Sequence, residues 1–212
     1  MKRSSAEDLA RPLPGAAQVS RETRERLDAL LVLLLRWNAR INLVARQAPE
    51  EIRQRHIEDS LQLLPLLPEG LTPLADLGSG GGFPGLVLAA AVARSVHLVE
   101  SDRRKAAFLQ AAVAELGLPH VTVHAVRIET LDLPPVGVLT ARALAPLERL
   151  LPWAAALLAP EGVALFPKGR QVDQELSDAE AAGWTFSVER FMSNTDPKAT
   201  ILRMSGIHRA GA

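Results

Sequence analysis

Apolar residues recur along the chain at two different periods, and the change falls near residue 73. Before it, Leu27, Leu30, Leu31, Leu34 and Ile41 keep helical spacing behind Ser20, whose hydroxyl suits the free N–H groups of a helix start. A second helix is expected from Pro49 to about Leu64, with Glu50 and Glu51 at the positive end of its dipole. Pro65 and Pro68 stop it, and Pro65 to Pro73 forms the join. Two helices with no strand between them predict a helical cap over residues 20–70. Residues 1–19, with Pro12, Pro14 and Gly15 and no period, predict a mobile tail.

Beyond residue 73, short apolar runs at 74–77, 96–100, 121–125, 136–140 and 163–167 predict strands. Helical stretches at 84–93, 103–116, 146–159 and 170–182 lie between most of them. This order implies a parallel sheet with helices on both faces. Two further runs, 184–191 and 199–205, are separated only by Met192 to Pro197, too short for a parallel crossover. The expectation over residues 71–206 is therefore an α/β, Rossmann-like domain. Its sheet is mostly parallel and seven-stranded, with the last strand antiparallel.

Composition narrows the chemistry. Hydrophobic residues make up 48% and charged residues 23% of 212 positions, which excludes a largely disordered chain. Cysteine is absent, so disulfides, thiolate metal sites and cysteine nucleophiles are excluded. His97, His120, His124 and His208 show no metal-ligand spacing, and no metal is expected. No apolar run reaches the ~20 residues that span a bilayer, and the basic start lacks a signal-peptide core. A cytoplasmic protein, without a membrane partner and monomeric, is expected. The net charge of zero hides an asymmetry: residues 1–55 hold 11 Lys and Arg against 7 Asp and Glu. That surplus is either a solvated helix face or a nucleic-acid footprint.

The segment Asp76-Leu77-Gly78-Ser79-Gly80-Gly81-Gly82-Phe83-Pro84-Gly85 follows the first strand of the alternating region and opens a helix. Glycines there let the backbone pass close to a ligand, and the helix start offers unpaired N–H groups. Glu100, 22 residues beyond Gly78 at the end of the next strand, is placed to accept from a ribose diol. A nucleoside-type cofactor follows. Gly80, Gly82 and Gly85 also match the dinucleotide fingerprint. Asp76, two residues before the first glycine, would repel a diphosphate and attract the ammonium of S-adenosylmethionine. With the terminal antiparallel hairpin, that favours the methyl donor.

These residues carry a close resemblance. "DLGSGGGFPG", "LVESDRRKAAFL", "TARALAPLERLLPWA" and "LFPKG", preceded by "WNARINLV" and "RHIEDSL", resemble the bacterial small-subunit ribosomal RNA methyltransferase G family, also called glucose-inhibited division protein B. The likeness runs from about Leu30 to Leu202. It implies a class I methyltransferase fold and transfer from S-adenosylmethionine to N7 of a guanine in the 530 loop of 16S ribosomal RNA. The partner it implies is that RNA or the small subunit. Carried over by motif, it implies cofactor contacts at Gly78, Phe83, Ile128, Glu129 and Arg142, beside Asp76, Gly80 and Glu100 from the loop reading. Glu100 stands where most relatives would have aspartate.

The reaction fits the residues. Thr140-Ala141-Arg142-Ala143-Leu144 lacks the Asn/Asp-Pro-Pro-aromatic sequence expected for an exocyclic amine. N7 has an in-plane lone pair and needs no base, so Arg142 is expected to position and no general base is sought. His56, Asp59 and Ser60 on the second helix either dock the cap or line the entrance, and His56 is a candidate RNA contact. Lys168 and Arg170, at the end of the fifth strand, are candidate phosphate contacts. Two rivals stay open: a nicotinamide-dependent oxidoreductase on the same glycine loop, and a non-catalytic RNA-binding assembly factor.

Overall fold

The computed structural model describes residues 10–13, 19–70 and 72–211. Helix α1 (Arg21–Asn38) starts where Ser20 accepts from the N–H of Thr23. It ends before Ile41, because Asn38 folds the chain back: its Oδ1 accepts from the N–H groups of Leu43 and Val44. Ile41 still packs on the same core from the turn beyond the helix.

The second helical stretch is interrupted by a change of period. It comprises α2 (Pro49–Ile52), a π-helical turn (Arg53–Glu58) and α3 (Asp59–Leu61), followed by a 3₁₀ turn at Leu64–Leu66. A π-turn admits one extra residue per turn, and such turns gather at functional sites.

The remaining elements alternate as expected: β1 (Leu74–Leu77), α4 (Gly85–Ala91), β2 (Val96–Val99), α5 (Arg103–Glu115), β3 (Val121–His124), β4 (Val136–Ala141), α6 (Leu147–Leu157), β5 (Leu158–Lys168), α7 (Val172–Ala181), β6 (Trp184–Met192) and β7 (Thr200–Arg209). They build a seven-stranded sheet in the order β3-β2-β1-β4-β5-β7-β6. β1 to β5 are parallel, and β7 runs antiparallel to both β5 and β6. β5 begins five residues earlier than the apolar run at 163–167, because Leu158 already pairs with Val136 before the register shifts.

β1 and β4 are buried throughout, as strands covered on both faces must be. Their side chains alternate between two cores. Leu74 and Val138 face α1, α4 and α5, while Ala75, Leu77 and Leu139 face α6 and α7. The expected cap is therefore the outer layer of one face: Leu27, Leu30 and Leu34 of α1 are buried in the same core as Leu86 and Phe108. Each such leucine contributes roughly 1.5–3 kcal/mol by burial. Thr23 Oγ1 donates to the carbonyl of Ala90, tying α1 to α4.

Of the tail expected over 1–19, residues 10–13 lie along β6: Arg11 N–H donates to the Arg190 carbonyl, and Met192 N–H donates to that of Arg11. Residues 1–9 and 14–18 are outside the described residues. The strand order reverses between β1 and β4, and in open α/β sheets ligands bind at that point, beyond the carboxyl ends of the strands.

Candidate functional site

The glycine loop leaves β1 at this switch point. Ser79 N–H donates to the Val99 carbonyl, and the N–H groups of Gly82 and Phe83 donate back to the Ser79 carbonyl. Gly78 has φ +66°, and a Cβ on it would stand 2.6 Å from Leu144 Cδ1, so any other residue there would be strained and would displace Leu144. Gly85 is also tightly packed: a Cβ would meet Leu98 at 2.4 Å and Asp76 Oδ2 at 2.6 Å.

Asp76 lies beneath the loop, not in its mouth. Its side chain is fully buried, with Oδ1 accepting from Thr140 Oγ1 at 2.7 Å and Oδ2 from Gly85 N–H at 3.2 Å. The expected contact with a ligand ammonium gives way to an anchoring role, because both carboxylate oxygens are taken up inside the protein. Burial pushes its pKa up to about 6, against the hydrogen bonds and the Arg142 charge that hold it down.

Glu100 reaches back to the loop from the end of β2. Its Oε2 accepts from Gly80 N–H at 2.9 Å and its Oε1 from Asp102 N–H at 2.8 Å. Each oxygen keeps a further lone-pair direction for a hydroxyl. Asp102 then caps α5, accepting from the N–H groups of Arg104 and Lys105 at the start that carries Arg103, Arg104 and Lys105. Ile128 and Glu129 sit on a 3₁₀ turn after β3, Ile128 half-buried on the α6–α7 core and Glu129 exposed.

Arg142, just past β4, joins the sheet to the cap. Its Nη1 donates to the Arg55 carbonyl at 3.0 Å and to Asp59 Oδ2 at 3.2 Å. Its Nη2 donates to His56 Nδ1 at 2.6 Å, and the guanidinium stands 5.5 Å from the Phe83 ring centre. His56 stacks on the same ring, centroids 5.0 Å apart and planes within 22°. Burial first, then the charges of Arg142 and Arg55, lower the His56 pKa to about 4. The π-turn thus brings His56, Asp59, Phe83 and Arg142 into one cluster beside the loop.

Asp59 ties the cap to the sheet from two sides. Oδ2 meets Arg142, while Oδ1 accepts from Thr195 Oγ1 at 2.6 Å and Gln62 Nε2 at 2.7 Å. Gln62 also accepts from the Asn194 N–H in the β6–β7 connection. Gln62, Ser193 and Thr195 escaped the sequence reading. No spacing relates residues more than 130 positions apart, and only the antiparallel hairpin brings them together.

A cleft of about 880 Å³ opens beside this cluster, lined among others by Arg55, His56, Arg142, Leu144, Arg170 and Lys198. Leu144 is shared by the cleft wall and the underside of Gly78, so cleft and glycine loop adjoin. Arg55, Arg170 and Lys198 are exposed, and none forms an ion pair among the described residues. Lys168 differs from the phosphate contact expected of it. Its side chain is only 8% exposed, and Nζ donates to Glu175 Oε2 at 2.7 Å and to the Ala145 carbonyl at 3.0 Å. Its charge is neutralised within the fold.

A nucleoside fits these residues. Glu100 presents a carboxylate at the end of β2, against a loop whose glycines hug the strand ends. Among the described residues no group of three or more His, Asp or Glu is placed to hold a metal ion, and no helix is long and apolar enough to cross a membrane.

Comparison with known proteins gives a consistent set of likenesses. Residues 23–198 match the family model described as rRNA small subunit methyltransferase G. The ribosomal RNA small subunit methyltransferase G of Acidiphilium cryptum is 59% identical over 210 residues, covering 92% of this chain and 96% of its own length. That of Granulibacter bethesdensis is 55% identical, covering 93% and 92%. A SAM-dependent methyltransferase from Aquifex aeolicus superposes with a TM-score of 0.57 at 16% identity, over 73% of this chain and 91% of that one, a likeness of fold.

Proposed function

Since the chain belongs to the rRNA small subunit methyltransferase G family, we propose that it methylates N7 of a guanine in the 530 loop of 16S ribosomal RNA, using S-adenosylmethionine. Its setting would be the cytoplasm, and it would act as a monomer on the RNA or the small subunit. The observation that carries the reading is the adjacency of two surfaces across Leu144. One is a glycine loop with Glu100 at its rim, and the other a cleft with the unpaired cations Arg55, Arg170 and Lys198. The family leaves no support for a nicotinamide-dependent oxidoreductase.

S-adenosylmethionine, when bound, supplies a methyl group on a positively charged sulfur. Gly78, Gly80 and Glu100 would hold its nucleoside, with Phe83, Ile128, Glu129 and Arg142 around it. Asp76 supports this set from below, by fixing Gly85 and Thr140. Arg170, Lys198 and Arg55 would meet phosphates, and His56 the base. N7 has no proton to lose, so the chain has only to hold the base in line and keep water out. The cluster agrees with this. His56 stacks on Phe83 of the loop, yet its Nδ1 is already engaged by Arg142 and its basicity is suppressed.

Transfer of tritiated methyl from S-adenosylmethionine to 16S RNA and to 30S subunits, followed by mapping of the base, tests this. Label at N7 of one 530-loop guanine is expected. Label on an exocyclic amine would overturn the acceptor. Binding of both ligands without transfer would make the protein an assembly factor.

A further inference from the structure

The contact between His56 and Arg142 fixes the place of a proton. A guanidinium only donates, so the nitrogen that receives its N–H at 2.6 Å carries no hydrogen. In a neutral ring the hydrogen then sits on Nε2. Neutrality is what burial and the two neighbouring cations impose near pH 7. Turning the ring over would put a carbon against Arg142 and forfeit that bond. The stack on Phe83 holds the plane. Among the described residues Nε2 has no hydrogen-bond partner, and His56 belongs to the cleft wall. A neutral N–H of fixed orientation is thus held ready beside the glycine loop.

We infer that the Nε2–H of His56 reads the base, donating to O6 of the guanine whose N7 is methylated. The inference rests on the proposed guanine-N7 reading. On that edge guanine offers two acceptors, N7 and O6, whereas adenine puts an amino group in place of O6. N7 must keep its lone pair for the methyl group, so recognition falls to O6. A neutral donor suits the chemistry, since the base becomes cationic on methylation and an imidazolium beside it would oppose that charge. Arg142 is then a positioning residue: it sets the tautomer and holds the ring, and three of its N–H contacts are spent on Arg55, Asp59 and His56.

The test is a cycle between protein and RNA. kcat/KM for methyl transfer is measured on 16S RNA carrying guanine or 2-aminopurine, which lacks O6, at the target position. Wild type is compared with H56N and H56F. Asparagine keeps an acceptor for Arg142 but loses the ring, and phenylalanine keeps the stack but loses the acceptor. Both lack the Nε2 donor. The intrinsic reactivity of the two bases cancels in the comparison. The preference for guanine should fall roughly 3- to 10-fold in both variants, the usual worth of one hydrogen bond. Partial unfolding lowers both rates together and leaves the ratio unmoved. Wild-type preference in either variant overturns the inference while leaving N7 methylation standing. Absence of methyl on N7 from the wild-type enzyme overturns the functional reading, and the inference with it.

Discussion

Replacing Arg142 by alanine removes three hydrogen bonds and the cation near Phe83 in one step. It leaves Asp59 without its charged partner and frees His56 Nδ1. Misplacing a group by about 1 Å can cost 100-fold in rate, and kcat/KM for R142A should fall by about that factor. R142K should recover little, because an ammonium cannot fork between a carbonyl, a carboxylate and a ring nitrogen. The same variant has a spectroscopic signature. In wild type the His56 pKa stands at about 4, from burial first and cationic neighbours second. Without Arg142 it should rise yet stay below 6.5, since burial persists; an unchanged titration in histidine NMR spectra would remove the contact. At Glu100, alanine should weaken S-adenosylmethionine binding by ~1–3 kcal/mol, and calorimetry showing equal affinity would take Glu100 out of the site. Glu100 was legible because a strand end fixes where an acid points. The settings of Asp76 and Lys168 were not, for each depends on a partner that only the fold supplies: Thr140, 64 positions away, and Glu175 on the next helix.

Element by element, the alternation of short apolar runs with helical stretches was enough to place the strands of the sheet, because a parallel sheet covered on both faces leaves few other arrangements. The misplaced boundaries have local causes. Asn38 ends α1 early by capturing two N–H groups of the following turn. The π-turn is invisible to a 3.6-residue period, although it is what delivers His56 to Phe83. The edge formed by β2 and β3 yields a pH prediction. His97 Nδ1 and His124 Nε2 lie 3.0 Å apart, a hydrogen bond that two protonated rings cannot make. Burial lowers both pKa values, and the His124 charge further lowers that of His97. The unfolded chain takes up these protons near pH 6.5 and the folded protein only below it. Their contribution to stability is therefore full above pH 6.5 and lost as pH falls through the folded values. Asp76 has the opposite sign. Raised to about 6, it holds a proton in the folded state that the unfolded chain has already released, so it adds stability as pH falls through 6. Asp76 and His56 are common to wild type and to the double variant H97V/H124V, so their effects cancel in a comparison. Urea midpoints between pH 7 and 5 should fall less in the variant. Parallel slopes would show that the histidine pair is not linked to folding.

At the scale of the whole molecule, part of the arginine in residues 1–55 is paired within the fold. Arg21, Arg26, Arg36 and Arg53 pair with acids, the first two within α1, Arg36 with Glu115 of α5 and Arg53 with Asp28. Net charge by segment therefore says less about RNA than the few cations left unpaired at the cleft, of which Arg55 comes from the cap, Arg170 from the end of β5 and Lys198 from the β6–β7 connection. If each neutralises one phosphate, binding releases counterions in proportion, and the slope of log affinity against log salt carries about 0.7 per contact on single-stranded RNA. The double variant R170A/K198A should flatten that slope by about 1.4 while S-adenosylmethionine affinity stays at the wild-type value. Lys168, one residue before Gly169 and within the same cleft wall, is the informative control. Its ammonium is committed to Glu175 and the Ala145 carbonyl, and breaking a pair so nearly buried costs about 3 kcal/mol. K168M should therefore melt earlier yet keep the wild-type salt slope. A flattened slope in K168M, or an unchanged one in R170A/K198A, would move the phosphate path away from these residues and place the RNA on another face of the sheet.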